Sequence, residues 1–223
     1  MNRWSVIIPS RHDRKVIDCV VSLFDTHPEL EADQVVIVSD GLERSTRKAL
    51  RGVRWVKGKR PFVFSRAINM GVEATDPRSD LVILGDDVRF KTRDGVETLH
   101  SEARIHNVAA IAPEVLGLCG QRRQAAGARE SVAAWLAFIC VYIPRSVWDA
   151  VGELDERFVG YGYDDVDWCL RAAEHGPLRI AHDVRVHHLD NSSYRSQPDW
   201  LVAYRENRER FEQKWHDQLK ETA

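Results

Sequence analysis

Through its first 112 residues the chain alternates short aliphatic runs with amphipathic stretches, and this alternation restricts the fold more than any other feature. Trp4-Ser5-Val6-Ile7-Ile8-Pro9-Ser10 predicts a strand stopped by proline. Val16, Ile17, Val20, Val21 and Phe24 then recur on one face of a helix that ends before His27-Pro28. The pattern continues with strands predicted at 34–39, 53–56 and 108–112, and helices at 45–50, 65–74 and 95–106. Between them, Leu81-Val82-Ile83-Leu84 places four aliphatic residues in a row, as a strand buried on both faces requires. The expectation is a mostly parallel sheet covered by helices on both faces.

The second half has a different texture. An apolar run over 134–143 predicts a long central strand, 145–151 a short helix, and 178–181 and 184–188 two short strands. A helix over 199–220 carries Trp200, Tyr204, Phe211 and Trp215 as an inward packing stripe. Residues 117–131, rich in Gly, Ala, Gln and Arg, offer little to bury and read as a mobile loop able to gate a site.

Two acid pairs stand out against this frame. Asp86-Asp87 closes the buried strand at its carboxyl end, where open α/β sheets bind ligands. Adjacent carboxylates repel, so a hard divalent cation such as Mg²⁺ or Mn²⁺ would settle them, and a solvated turn is the plainer alternative. Asp164-Asp165 follows a turn built on Gly160 and Gly162 and opens a helix whose Val166, Cys169, Leu170 and Ala173 face inward. Acids there are also ordinary capping residues.

Composition removes several classes. A formal net charge of −2 gives no global case for nucleic acid or anionic membrane. Cys19, Cys119, Cys140 and Cys169 form no CxxC pair, so neither a zinc site nor a disulfide framework is implied, and Cys140 and Cys169 read as reduced core residues. No GxGxxG follows the first strand and no GxxxxGK[ST] occurs, which removes the main support for dinucleotide and P-loop readings. The first strand begins close to Met1, leaving no room for a signal peptide or membrane anchor, and a cytoplasmic location is expected.

Six segments in order resemble the inverting, nucleotide-sugar-dependent glycosyltransferases of the GT-A fold, family-2 type: WSVIIPSRHD, VVIVSDG, FSRAINMGVEAT, LVILGDDV, GELDERFVGYGYDDVDWCLRAAEHG and VRVHHLDNSS. The resemblance covers residues 4 to 195. It implies an α/β GT-A fold, a mostly parallel central sheet with helices on both faces and a small acceptor-side subdomain. The chain then reads as one domain over 1–223, with 1–112 binding the nucleotide sugar, 113–198 the acceptor, and 199–223 a last helix. Where the family's metal motif begins with an aspartate this chain has Gly85, which puts metal affinity in question. The motif's last acid falls on Asp87.

By resemblance, Asp87 and His188 hold Mn²⁺ or Mg²⁺; His187 is the adjacent alternative, and only one of the two can face inward along a strand. Asp165 is the catalytic base and Asp164 holds the acceptor. Pro9, Ser10, Arg11, Asp13, Asp40, Arg66, Asn69 and Asp86 form the nucleotide-sugar site, with UDP-sugar the expected donor. A saccharide or glycoconjugate hydroxyl is the expected acceptor. Arg44, Arg47, Lys48, Arg51, Arg54, Lys57, Lys59 and Arg60 keep a hydroxymethylated base in DNA as an alternative. A non-catalytic nucleotide-sugar-binding module is a third reading, and a sugar-nucleotide pyrophosphorylase would need a glycine-rich loop that PSRHDRK lacks.

Overall fold

The computed structural model describes residues 4–189 and 199–216. At its centre, eight strands run in the order β3-β2-β1-β4-β7-β6-β8-β5. They are β1 (Trp4–Ser10), β2 (Val35–Ser39), β3 (Arg54–Lys57), β4 (Asp80–Leu84), β5 (Val88–Phe90), β6 (Ala110–Gly117), β7 (Cys140–Ile143) and β8 (Leu178–His188). The helices are α1 (Asp13–Thr26), α2 (Arg44–Ala49), α3 (Phe64–Glu73), α4 (Gly95–His106), α5 (Arg145–Val151), α6 (Asp164–Ala172) and α7 (Trp200–Lys214). β1 to β4 pair in parallel, as does β6 with β8, while β4–β7, β6–β7 and β5–β8 are antiparallel.

Strand alternation divides the core in two. Val6, Ile8, Val35 and Ile37 point to one face, which α1 and α4 cover with Val16, Val20 and Leu99. Ile7, Val38, Leu81 and Ile83 point to the other, which α3, α5 and α6 cover with Ile68, Trp148 and Trp168. Gly71 lets α3 settle directly on β1, since a Cβ there would run into the side chain of Ile7.

Three expectations are corrected. The run at 134–143 is a strand only over Cys140–Ile143. Before it, the chain satisfies its backbone with side chains: Ala137 exchanges two hydrogen bonds with the buried amide of Gln124, and Leu136 N–H donates to Cys169 Sγ at 3.3 Å. Residues 117–131 are therefore pinned rather than free, with Gln124 wholly buried and Gln121 donating to the Trp135 carbonyl. The two strands at 178–181 and 184–188 are one, β8, whose residues 182–184 bulge where the register with β6 shifts between Pro113 and Glu114. β5, too short to carry a periodic signal, follows Asp87 directly. The last turn expected of the final helix, at 217–220, lies outside the described residues, and among these no helix is long and apolar enough to cross a membrane.

Candidate functional site

Because β1 and β4 are adjacent and parallel, their carboxyl ends meet at one edge of the sheet. There Ser10 Oγ donates to Asp86 Oδ2 at 2.6 Å. Burial pushes the Asp86 carboxyl up, to about 6, against the pull of that hydrogen bond. Asp87 faces His188, with Oδ1 3.3 Å from Nε2, while its Oδ2 lies 3.5 Å from Lys15 Nζ. Burial would raise Asp87 as well, but the bond and charge of His188, with Lys15, outweigh it and hold the carboxyl below its ordinary value.

Antiparallel pairing of β5 with β8 sets Val88 opposite His188 and so brings the histidine to the acid. His188 is buried and its neighbour His187 only partly so. Its Nδ1–H donates to the Leu118 carbonyl at 2.5 Å, which leaves Nε2 as the nitrogen aimed at Asp87. Burial lowers the imidazole's basicity, yet Asp87 more than restores it. Gly85 belongs to this arrangement: a Cβ there would lie 3.2 Å from Asp87 Oδ1 and crowd the carboxylate.

The second acid pair is delivered by a loop under tight backbone control. Gly160, Gly162 and Tyr163 all have positive φ, at 88°, 88° and 73°. The side-chain amide of Asn207 on α7 donates to the carbonyls of Val159, Tyr161 and Gly162 and fixes the loop from behind. α6 then starts at Asp164; its N-cap Tyr163 makes no side-chain capping bond, and Asp165 Oδ1 accepts from the Val166 N–H at 2.9 Å within the first turn. Burial, then mutual repulsion with Asp164, drives the Asp165 carboxyl up, against N–H groups of Val166 and Phe138. Asp164 is raised too, chiefly by burial. Asp167 is different: fully buried, it accepts from Lys214 at 2.7 Å and Trp215 at 2.9 Å and struts α7 against α6.

Both acid pairs line one cavity of about 510 Å³, a size suited to a small-molecule ligand. Pro9, Ser10, Arg11, Asp86, Asp87, Asp164, Asp165 and His188 all border it. Asp40 and Arg66 border a small neighbouring cleft that shares Phe62 with it; Asp40 accepts from Arg60 at 2.9 Å and Arg66 donates to the Pro61 carbonyl. Two expected nucleotide-site residues are corrected. Asn69 spends both ends of its amide on the Leu154 backbone, and Asp13 accepts from Thr46 Oγ1 and Glu43 N–H, so both build the scaffold. Reasoning from sequence missed the aromatic wall of Phe64, Trp135, Tyr161, Tyr163 and Tyr204. It assigned Tyr204 to inward packing, whereas the ring is over a third exposed and borders the cavity.

Asp87 and the Nε2 of His188 suit a borderline cation such as Mn²⁺, with its remaining positions filled from outside the protein. Among the described residues no cluster of three or more His, Cys, Asp or Glu side chains is present that could hold such an ion unaided.

No protein-family model and no curated protein matches this sequence. Solved structures do. GalNAc-T7 with UDP, GalNAc and Mn²⁺ superposes at TM-score 0.69 and 13% identity, over 84% of this chain and 44% of that one. The mannosyltransferase PcManGT from Pyrobaculum calidifontis, in complex with GDP-Man and Mn²⁺, gives 0.63 and 15%, over 87% and 59%. S. aureus TarS 1–349 gives 0.64 and 12%, over 84% and 60%. The chain thus spans 44% to 60% of the solved chains it matches. At these identities the likeness speaks for architecture, and that architecture is the GT-A fold of glycosyltransferases.

Proposed function

We propose that this protein is an inverting glycosyltransferase that moves a sugar from a nucleoside-diphosphate sugar, UDP-sugar foremost, to a hydroxyl of a saccharide or glycoconjugate. The observation that carries the reading is that an acid–imidazole pair and a second, half-buried acid pair line the same cavity. Pro9, Ser10 and Arg11 would shape the nucleoside end, with Asp86 at the ribose and Asp40 and Arg66 reaching in from the adjoining cleft. Asp87 and His188 would hold Mn²⁺, or Mg²⁺; the ion, when bound, offsets charge that builds on the leaving diphosphate.

The acceptor hydroxyl attacks the anomeric carbon from the face opposite the diphosphate. A C–O bond to the acceptor forms as the C–O bond to phosphate breaks, and its electron pair leaves with the diphosphate. The hydroxyl proton passes to the Asp165 carboxylate, while Asp164 orients the acceptor. Incubating the protein with UDP- and GDP-sugars, Mn²⁺ and a panel of oligosaccharides tests this by product mass and anomeric NMR. Retained anomeric configuration would refute inversion, and the lack of any donor-dependent product would refute transfer. Asp87→Ala should abolish the metal-dependent part of donor binding, measured by calorimetry with and without EDTA.

A further inference from the structure

Lys15 stands in the first turn of α1, where a cation opposes the helix dipole. Its ammonium nevertheless lies 3.5 Å from Asp87 Oδ2, on the oxygen that His188 does not face, and only 26% of its side chain is exposed. The two oxygens of Asp87 are thus divided between an imidazole and an ammonium. Asp86 already accepts from Ser10 on Oδ2, and Gly85 supplies no acid at all. A divalent cation approaching Asp87 would meet a positive charge already against the carboxylate, with little water to screen it. A diphosphate entering beside it would give that ammonium a better-matched partner.

Resting on the nucleotide-sugar reading above, we propose that Lys15 and the divalent cation are alternative partners of Asp87 Oδ2. Lys15 moves to the donor diphosphate as the cation arrives. The consequence is obligatory cooperation: the ion binds poorly alone, and ion and diphosphate each strengthen the other by the same factor. Lys15 is in this sense a positioning residue that sets the order of loading.

The test titrates the full chain with Mn²⁺, counting free ion by electron paramagnetic resonance, with and without UDP or GDP. In the wild type, UDP or GDP should tighten Mn²⁺ by about tenfold or more. Lys15→Met, which keeps the side-chain stem and helix propensity, should bind Mn²⁺ alone about tenfold more tightly, bind diphosphate more weakly in EDTA, and lose most of the coupling. Lys15→Gln serves the same purpose if methionine impairs folding, and Lys15→Arg should restore the wild-type pattern. A Lys15→Met protein with unchanged Mn²⁺ affinity or undiminished coupling overturns the proposal, as does Mn²⁺ binding that survives Asp87→Ala. A wild type that binds neither UDP nor GDP in the presence of Mn²⁺ refutes the donor reading itself, a separate result.

Discussion

A carboxylate can accept a proton only when ionised, yet Asp165 sits where burial and Asp164 both resist ionisation. Two outcomes follow with opposite signs. The acid limb of kcat/KM should lie above the range of an ordinary carboxylate, so that transfer rises with pH where a free aspartate would already be saturated; initial rates across pH at subsaturating acceptor check this. Stability should run the other way. A carboxyl whose folded pKa exceeds its unfolded value stabilises the fold at low pH and loses that contribution as pH rises through the folded value. Asp165→Asn should therefore raise Tm above neutral pH while lowering transfer by about 10²-fold or more with donor binding intact; an active or destabilised variant would defeat the assignment of Asp165 as base. Adjacent acids at a strand end and a helix start, together with the family resemblance, singled out this pair and Asp87 in the sequence, and the structure brings both acid pairs to one cavity. The choice of His188 over His187 became decidable only through the Val88–His188 register. Asn69 and Asp13 misled because a short polar side chain reads alike whether it faces a ligand or a neighbouring backbone.

Among the elements, the loop before α6 depends most on a distant partner. Asn207 is 1% exposed and its amide donates to three carbonyls, so Asn207→Ala should cost about 1–3 kcal/mol of stability through unsatisfied buried groups. We expect it also to cut transfer more than it weakens UDP binding, read by comparing kcat with calorimetric affinity; equal losses would mean that the loop does not aim Asp165. Nothing in the sequence around Asn207 distinguishes it from the polar residues beside it in α7. The elements that were legible, α1, α4 and α5 among them, are those with a periodic apolar face and a local stop. The segment at 134–139 was not, because its hydrophobicity is spent on burial while its hydrogen bonds go to Gln124 and Cys169 rather than to a ladder.

Across the whole molecule, charge is unevenly placed. All eight cations between Arg44 and Arg60 are exposed, on α2, in the turn after it, on the edge strand β3 and in the segment that follows. β3 is three strand positions from β4, roughly 14 Å at about 4.8 Å per position, so this face is set apart from the strand that leads into Asp86 and Asp87. Some of it is already engaged: Arg47 lies over the Trp55 ring and Arg60 pairs with Asp40. Reversing the charge of Arg44, Lys48 and Arg51 should leave transfer to a saccharide unchanged, and duplex DNA should show no steep salt-dependent binding. Salt-steep binding followed by transfer to a hydroxymethylated duplex would reverse that choice of acceptor. The same partition has a further consequence. Asp87 and His188 lie in the turn after β4 and at the end of β8, whereas Asp165 follows a loop fastened to α7. On the proposed function, recognition of the donor and its consumption would be carried by separable parts of one chain. Loosening the last helix alone would then turn the proposed catalyst into a receptor, reporting the supply of activated sugar without drawing it down.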